Sequence, residues 1–121
     1  MAKRFVIIGG GPAGNTAATH AARLGAEVTM IEKDIVGGAA HLWDCIPSKA
    51  MIATGGALAR LSKAEGMGLR NVSAELDFDA LAERIRSIEE RLETSSVELL
   101  ESQGVRMVEG VGRLVGPNQV V

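Results

Sequence analysis

The stretch RFVIIGGGPAGNTAATHAARLGAEVTMIEK, residues 4–33, decides the fold of this chain. Its continuous apolar run from Phe5 to Ile8 is typical of a parallel strand that is buried on both faces. A glycine turn and an alanine-rich segment follow, and Gly25 is placed to end a helix. A second apolar run, Val28 to Ile31, ends on Glu32. This order predicts a βαβ unit, and therefore an α/β fold with a parallel sheet.

The turn between the first strand and the helix satisfies the pattern G-x-G-x-x-G. In this position Gly9 allows a tight turn, Gly11 lets the backbone approach a pyrophosphate, and Gly14 lets the helix pack closely on the strand. The helix N-terminus offers free N–H groups to phosphate, and Glu32 can accept hydrogen bonds from ribose hydroxyls. The segment therefore predicts a dinucleotide site, which either a nicotinamide or a flavin dinucleotide would fit.

Composition excludes several other classes of protein. The chain has 121 residues, of which 46% are hydrophobic, and this suits one compact domain. Its 13 basic and 15 acidic residues are interspersed, which argues against a nucleic-acid surface. No apolar run reaches the roughly 18 residues of a membrane span, and no signal peptide is recognisable, so a cytoplasmic location is expected. A single cysteine rules out an internal disulfide scaffold.

A second stretch, GGAAHLWDCIPSK at residues 37–49, narrows the choice of cofactor. Together with IIGGGPAG it closely resembles the N-terminal FAD-binding region of the pyridine nucleotide-disulfide oxidoreductase (dihydrolipoamide dehydrogenase-like) family. The closing EGVGRLVGPNQVV is similar to that family's G-x-G turn and short β-meander. The resemblance implies a partial Rossmann-like FAD-binding domain with a long amphipathic helix. The cofactor-binding residues that it implies are Gly9, Gly11, Pro12, Ala13, Gly14, Glu32, Lys33, Gly37, Gly38, Ala39, Ala40, Lys49 and Gly112.

One departure from the family pattern bears on the chemistry. Ala40 stands where the family has its first redox cysteine, and Cys45 occupies the second, flavin-facing position, just before a helix expected to begin near Pro47. Thiol-disulfide exchange needs an attacking thiolate and a resolving partner, and this segment has one thiol. A similar segment without the first cysteine occurs in a subgroup of NAD(P)H:quinone reductases. That resemblance implies electron transfer from NAD(P)H through FAD to a quinone, with Cys45 and Lys49 as the catalytic candidates.

Other interpretations stay open at this point. The chain could belong to a dihydrolipoamide dehydrogenase or another flavoprotein disulfide reductase, or it could be a non-catalytic module that binds FAD or another nucleotide. A lone cysteine also fits a peroxide-reducing enzyme that cycles Cys45 through a sulfenic acid. His41 and Trp43 either contact an aromatic acceptor or fill the volume beside the flavin. No metal site is expected.

The rest of the chain is expected to support this site. The segment from Asp77 to Gly104 predicts a long amphipathic helix that packs on the sheet or, alternatively, on a coiled-coil partner. Relatives in the family are several times longer than this chain. We therefore expect residues 1–121 to form the N-terminal portion of an FAD-binding domain, without the NAD(P)-binding and dimerisation domains. The full-length protein would then be a homodimer that uses NAD(P)H and a small-molecule electron acceptor.

Overall fold

A computed structural model describes residues 2–121 of the chain. The predicted α/β fold is confirmed, with a parallel sheet, three long helices and a small hairpin. A six-residue π-helical segment runs directly into the second helix, so that the two form one continuous helical run. The elements in chain order are β1 (Arg4–Ile8), α1 (Pro12–Arg23), β2 (Glu27–Glu32), the π-helical segment (Ala40–Cys45), α2 (Ile46–Leu61), a short 3-10 helix (Ala64–Met67), α3 (Phe78–Ser102), β3 (Arg106–Glu109), β4 (Leu114–Gly116) and β5 (Gln119–Val120).

The main sheet has three parallel strands in the order β1-β2-β3. Phe5 pairs with Val28 and Ile7 with Met30, so these four side chains share one face of the sheet. On the other side, β2 pairs with β3 from Thr29 opposite Arg106 to Glu32 opposite Glu109. Because all three strands run the same way, their carboxyl ends lie at one edge, where open α/β sheets bind ligands.

The hydrophobic core lies between β2 and the helices α1 and α3. Alternate β2 residues Val28 and Met30 are buried against Ala18 of α1 and Leu100 of α3. Val36 and Val105 complete the same cluster, and Ile7, Val97 and Met107 pack at its margin. The short side chain of Ala18 lets α1 lie close to the sheet, which fixes the start of this helix near the carboxyl end of β1.

The prediction that β1 is buried on both faces was wrong for the described structure. Phe5, Val6 and Ile8 are each 47% exposed. The reason is strand order: β2 is the central strand of the sheet, while β1 has a paired neighbour on one side within residues 2–121. The apolar run predicted the strand correctly but did not specify its place in the sheet.

Helix α3 begins and ends where the sequence predicts. The Asp77 side chain accepts a hydrogen bond from the Ala80 N–H at 2.9 Å, and Gly104, with φ of +78°, follows the last turn. The C-terminal half packs on the core through Val97 and Leu100. Leu99, on the same helix, is 55% exposed. Packing on the parent sheet is therefore the alternative that the structure supports.

The end of the described chain forms the expected small β-unit. Strands β4 and β5 pair antiparallel around a turn at residues 116–119. No helix formed by residues 2–121 combines the length and apolarity that a membrane crossing requires.

Candidate functional site

The glycine turn and the start of α1 form an open cradle at the carboxyl end of β1. Gly9 adopts φ of +101°, a conformation that favours glycine, and its N–H donates to the Ile31 carbonyl oxygen at 2.8 Å. A Cβ at Gly14 would overlap the Gly9 carbonyl group, so only glycine lets the helix lie this close to the turn. A Cβ at Gly11 would meet only the Gly38 Cα within 4 Å. The turn at Gly9 and the close packing at Gly14 fit the roles predicted for these two glycines, while the approach of a pyrophosphate to Gly11 stays a prediction.

The N-terminus of α1 has no side-chain cap. Gly11 is the N-cap, and Pro12 begins the helix without an N–H group of its own. The N–H groups of Ala13 and Gly14 belong to the first turn, which has no intrahelical acceptors. Such a terminus carries a partial positive charge and is suited to an anion such as a pyrophosphate.

Glu32 connects the end of β2 to the glycine turn. Its Oε2 accepts a hydrogen bond from the Gly10 N–H at 2.6 Å, and its Oε1 accepts from the N–H groups of Lys33 and Asp34 at 2.8 and 2.9 Å. A carboxylate has about four acceptor positions, so capacity for a ribose hydroxyl is left. Holding the turn is a role of Glu32 that the sequence analysis missed.

The charge of Glu32 is favoured by this arrangement. Partial burial raises the pKa of the carboxyl group, but the N–H groups of Gly10, Asp34 and Lys33 and the Lys33 charge stabilise the ionised form. The net result is a pKa below the ordinary value of 4.5. Glu32 is therefore ionised at neutral pH and can act as a charged acceptor.

The glycine turn is formed by residues 9–14. A second loop, residues 35–38, covers this turn, and we call this second loop the glycine loop. The Gly37 N–H donates to the Gly10 carbonyl oxygen at 2.8 Å. Gly38 adopts φ of +87°, and a Cβ there would lie 3.0 Å from the Gly11 Cα. Leu42 of the π-helical segment is buried beneath Gly37. Residues that are far apart in sequence thus form one surface around the turn.

Gly112 lies over the same edge of the sheet. A Cβ at this position would come within 3.0 Å of Ile8, the last residue of β1, and 3.1 Å of Ile31, the last residue but one of β2. Lys33 contributes its backbone N–H to Glu32, while its side chain is exposed. Ala39 and Ala40 are exposed at the start of the helical run.

The environment of Cys45 differs from the prediction in one respect. Cys45 does not stand just before a helix N-terminus, because it ends the π-helical segment and continues into α2 without a break. Its thiol is free and exposed, and Lys49 is exposed one turn later on the same side of the run. Among residues 2–121 no hydrogen bond or ion pair joins Lys49 to Cys45, and their contact with a cofactor stays a prediction.

A groove of about 290 Å³ lies beside the glycine loop, between α1, the π-helical segment and α3. His41 and Leu42 form one wall, and Leu92 and Ser96 of α3 form another. The Oδ1 atom of Asn15, a further lining residue, is buried and has no hydrogen-bond partner within residues 2–121. Trp43 is half exposed and is not among the residues that line the groove.

Comparison with known proteins decides the family. The profile of "Pyridine nucleotide-disulphide oxidoreductase" matches residues 3–121. The chain belongs to this family. Family members use FAD and NAD(P)H, so the predicted cofactor class is confirmed. The residue-by-residue assignment of the cofactor site remains a prediction.

Named relatives of the family are several times longer than this chain. The dihydrolipoyl dehydrogenase of Zymomonas mobilis is 33% identical over 100% of this chain and 26% of its own length. Those of Haloferax volcanii and Geobacillus stearothermophilus are 37% and 36% identical over 96% and 95% of the chain, and over 24% of their own length in each case. The crystal structure of LpdA from Mycobacterium tuberculosis superposes with a TM-score of 0.83 at 33% identity, over 95% of this chain and 25% of that one. The chain thus spans about a quarter of these relatives. Their names do not favour the quinone reductase subgroup.

Proposed function

We propose that the protein containing this chain is an NAD(P)H-dependent flavoprotein oxidoreductase and that residues 1–121 hold FAD. The unfilled first turn of α1, at Ala13 and Gly14, would bind the pyrophosphate. Glu32 would bind the adenosine ribose, and the backbone at Gly112 would contact the adenine. The uncapped helix, the ionised Glu32 and the close packing of Gly38 on Gly11 all fit a dinucleotide that lies across this edge of the sheet.

The proposed acceptor is a quinone-type molecule rather than a disulfide. The observation that carries this proposal is Ala40. Position 40 begins the π-helical segment that Cys45 ends, so the two positions lie about one helical turn apart. Ala40 has no sulfur, and Cys45 is the one cysteine of the chain. This segment therefore cannot form the dithiol that disulfide exchange requires.

Bound FAD would supply the redox chemistry, since a flavin takes up hydride and can donate electrons in one- or two-electron steps without a thiol relay. We assign the chain's own residues supporting roles. Cys45 would tune the flavin environment as a nearby sulfur, and Lys49 would place a positive charge there. The groove beside the glycine loop would accommodate the acceptor.

A dihydrolipoyl dehydrogenase reaction is the second candidate. It is favoured by the names of the relatives, which match nearly all of this chain at 33–37% identity. In that case an exchange thiol would have to come from outside residues 1–121, because Cys45 has no partner sulfur within them. A homodimer is proposed for the whole protein under either candidate.

Substrate preference and one variant of the whole protein would separate the candidates. We expect NADH or NADPH oxidation with a quinone and very little with lipoamide. We expect Cys45→Ser, purified with its flavin, to keep quinone turnover within about tenfold, or about 1.4 kcal/mol of barrier, since the thiol tunes the site without carrying electrons.

Steady-state assays with each acceptor measure both expectations, with flavin absorbance as the control for cofactor loading. Rapid lipoamide reduction by the wild type would support the second candidate. Loss of quinone turnover in a folded, flavin-loaded Cys45→Ser protein would place the thiol on the electron path and contradict the dithiol-free mechanism.

A further inference from the structure

Helix α3 provides a carboxylate that bonds to the backbone of the glycine loop. Oε1 of Glu93 accepts a hydrogen bond from the Val36 N–H at 3.1 Å, between residues 57 positions apart in the chain. The Val36 residue is buried, with 8% of its surface exposed, so its N–H group needs a partner within the protein. Glu93 supplies that partner from the part-buried side of α3.

The next residue of the loop is tied to the turn. Gly37 donates its N–H to the Gly10 carbonyl oxygen at 2.8 Å, and the Gly10 N–H donates in turn to Glu32. A continuous series of hydrogen bonds and peptide units therefore runs from Glu93 through Val36, Gly37 and Gly10 to Glu32.

The loop has little freedom to shift without disturbing the turn. Gly38 lies so close to the turn that a Cβ on it would be 3.0 Å from the Gly11 Cα and 3.1 Å from Pro12 Cδ. A displacement of Val36 would therefore disturb the neighbouring hydrogen bond from Gly37 and the close packing of Gly38 on the turn.

We propose that Glu93 is a positioning residue for the FAD site, acting through the Val36 N–H to hold the glycine loop against the pyrophosphate-binding turn. The inference rests on the proposed function, because it takes this turn and loop to be the FAD cradle. Within residues 2–121 the hydrogen bond of Glu93 goes to Val36 and not to the turn itself. Its contribution is to keep the Gly10 carbonyl and the Gly38 backbone in place before the cofactor arrives, which lowers the ordering cost of binding.

The test is the FAD dissociation constant of the whole protein and of matched variants. We expect Glu93→Ala to weaken FAD binding at least tenfold, because a lost hydrogen bond to a charged group leaves the buried Val36 N–H without a partner. Glu93→Gln retains a side-chain oxygen that can accept the same bond, and we expect it to stay within about threefold of the wild type.

Two controls on the same helix separate positioning from general destabilisation. Glu90→Gln changes an exposed carboxylate that makes no side-chain hydrogen bond or ion pair within residues 2–121, and it should bind FAD as the wild type does. Asp77→Ala removes the cap at the far end of α3, and it should lower thermal stability without altering FAD affinity. Backbone hydrogen exchange in residues 33–40 should be faster than in the wild type for Glu93→Ala, and unchanged for Glu90→Gln and Asp77→Ala.

The outcomes are distinct. Wild-type affinity in Glu93→Ala, an equal loss in Asp77→Ala, or a loss in Glu93→Gln as large as that in Glu93→Ala would each overturn the positioning role. A wild-type protein that binds no FAD would instead overturn the proposed function.

Discussion

Glu32 shows at the scale of one residue how the proposed cofactor site is ordered before a ligand binds. The carboxylate was predicted as a ribose acceptor, and the structure adds that three backbone N–H groups surround it. The same group thus fixes the end of β2, holds the glycine turn and retains acceptor capacity for a ligand. Neutralising Glu32 should therefore affect both the stability of the protein and the binding of its cofactor.

The lowered pKa of Glu32 predicts a pH dependence of stability. Because the folded-state pKa lies below the ordinary 4.5, the stabilising contribution is present above that value and is lost as pH falls through the folded pKa. In Glu32→Gln this contribution is absent. We expect the difference in unfolding free energy between the wild type and Glu32→Gln to be constant near neutral pH and to shrink below about pH 4.5.

Urea unfolding of the whole protein across this pH range measures the difference. Glu27→Gln is the matched control, since Glu27 is exposed at the other end of the same strand. A Glu32→Gln difference that stays constant down to the acid transition would contradict the role given to the Gly10 hydrogen bond.

At the scale of elements, the helical run from Ala40 to Leu61 carries both catalytic candidates. The proline at position 47 suggested a helix start beside Cys45, since proline is favoured in the first turn. The structure begins the helical run earlier and uses a π-helical segment to include residues 40–45. Leu42, buried under the glycine loop, anchors that segment. A tertiary contact has therefore extended the helix beyond its local start signal.

The N-terminal cap of helix α3 predicts a measurable contribution to the stability of the protein. Asp77→Ala removes the acceptor of the Ala80 N–H and should destabilise the protein by about 1 kcal/mol. Asp77→Ser, which preserves an N-cap oxygen, should recover most of the loss. Thermal or urea unfolding checks both. Equal stability of all three proteins would show that the remainder of α3 holds this end without its cap.

At the scale of the whole molecule, the described chain buries only a modest core. The buried cluster lies on one side of the sheet, around Met30 and Leu100. Large apolar side chains on β1 and α2 remain exposed, among them Phe5, Val6 and Ile52. Exposed apolar groups of this extent mark surfaces that other parts of a protein, or other molecules, cover.

This exposure predicts how residues 1–121 behave when expressed alone. We expect the isolated segment to bind a hydrophobic dye such as ANS strongly and to self-associate, because β1 presents an apolar strand at the edge of the sheet. Val6→Lys should reduce the association, since a charge on an exposed edge disfavours strand pairing. ANS fluorescence measures the dye binding, and sedimentation measures the self-association. A monomeric segment with no dye binding would contradict the prediction.

Much of the fold and site followed from local patterns in the sequence. The apolar runs predicted β1 and β2, the glycines predicted the turn and the end of α1, and Asp77 predicted the start of α3. These signals work because strand period, glycine conformation and helix capping are set by a few neighbouring residues. The family resemblance was equally local, since it rested on three short motifs, and the family match over residues 3–121 confirms it.

The remainder was decided by contacts between distant residues. Only the tertiary structure placed β2 at the centre of the sheet, left β1 half exposed and joined Glu93 to Val36 across 57 positions. The sequence by itself determined the βαβ unit and its glycine turn, because the strand, turn and helix signals all lie within residues 4–33. Strand order and the α3 contact depend on which buried surfaces and unpaired N–H groups find partners elsewhere in the chain. That outcome is set by packing and hydrogen bonding of the whole fold, which no local pattern encodes.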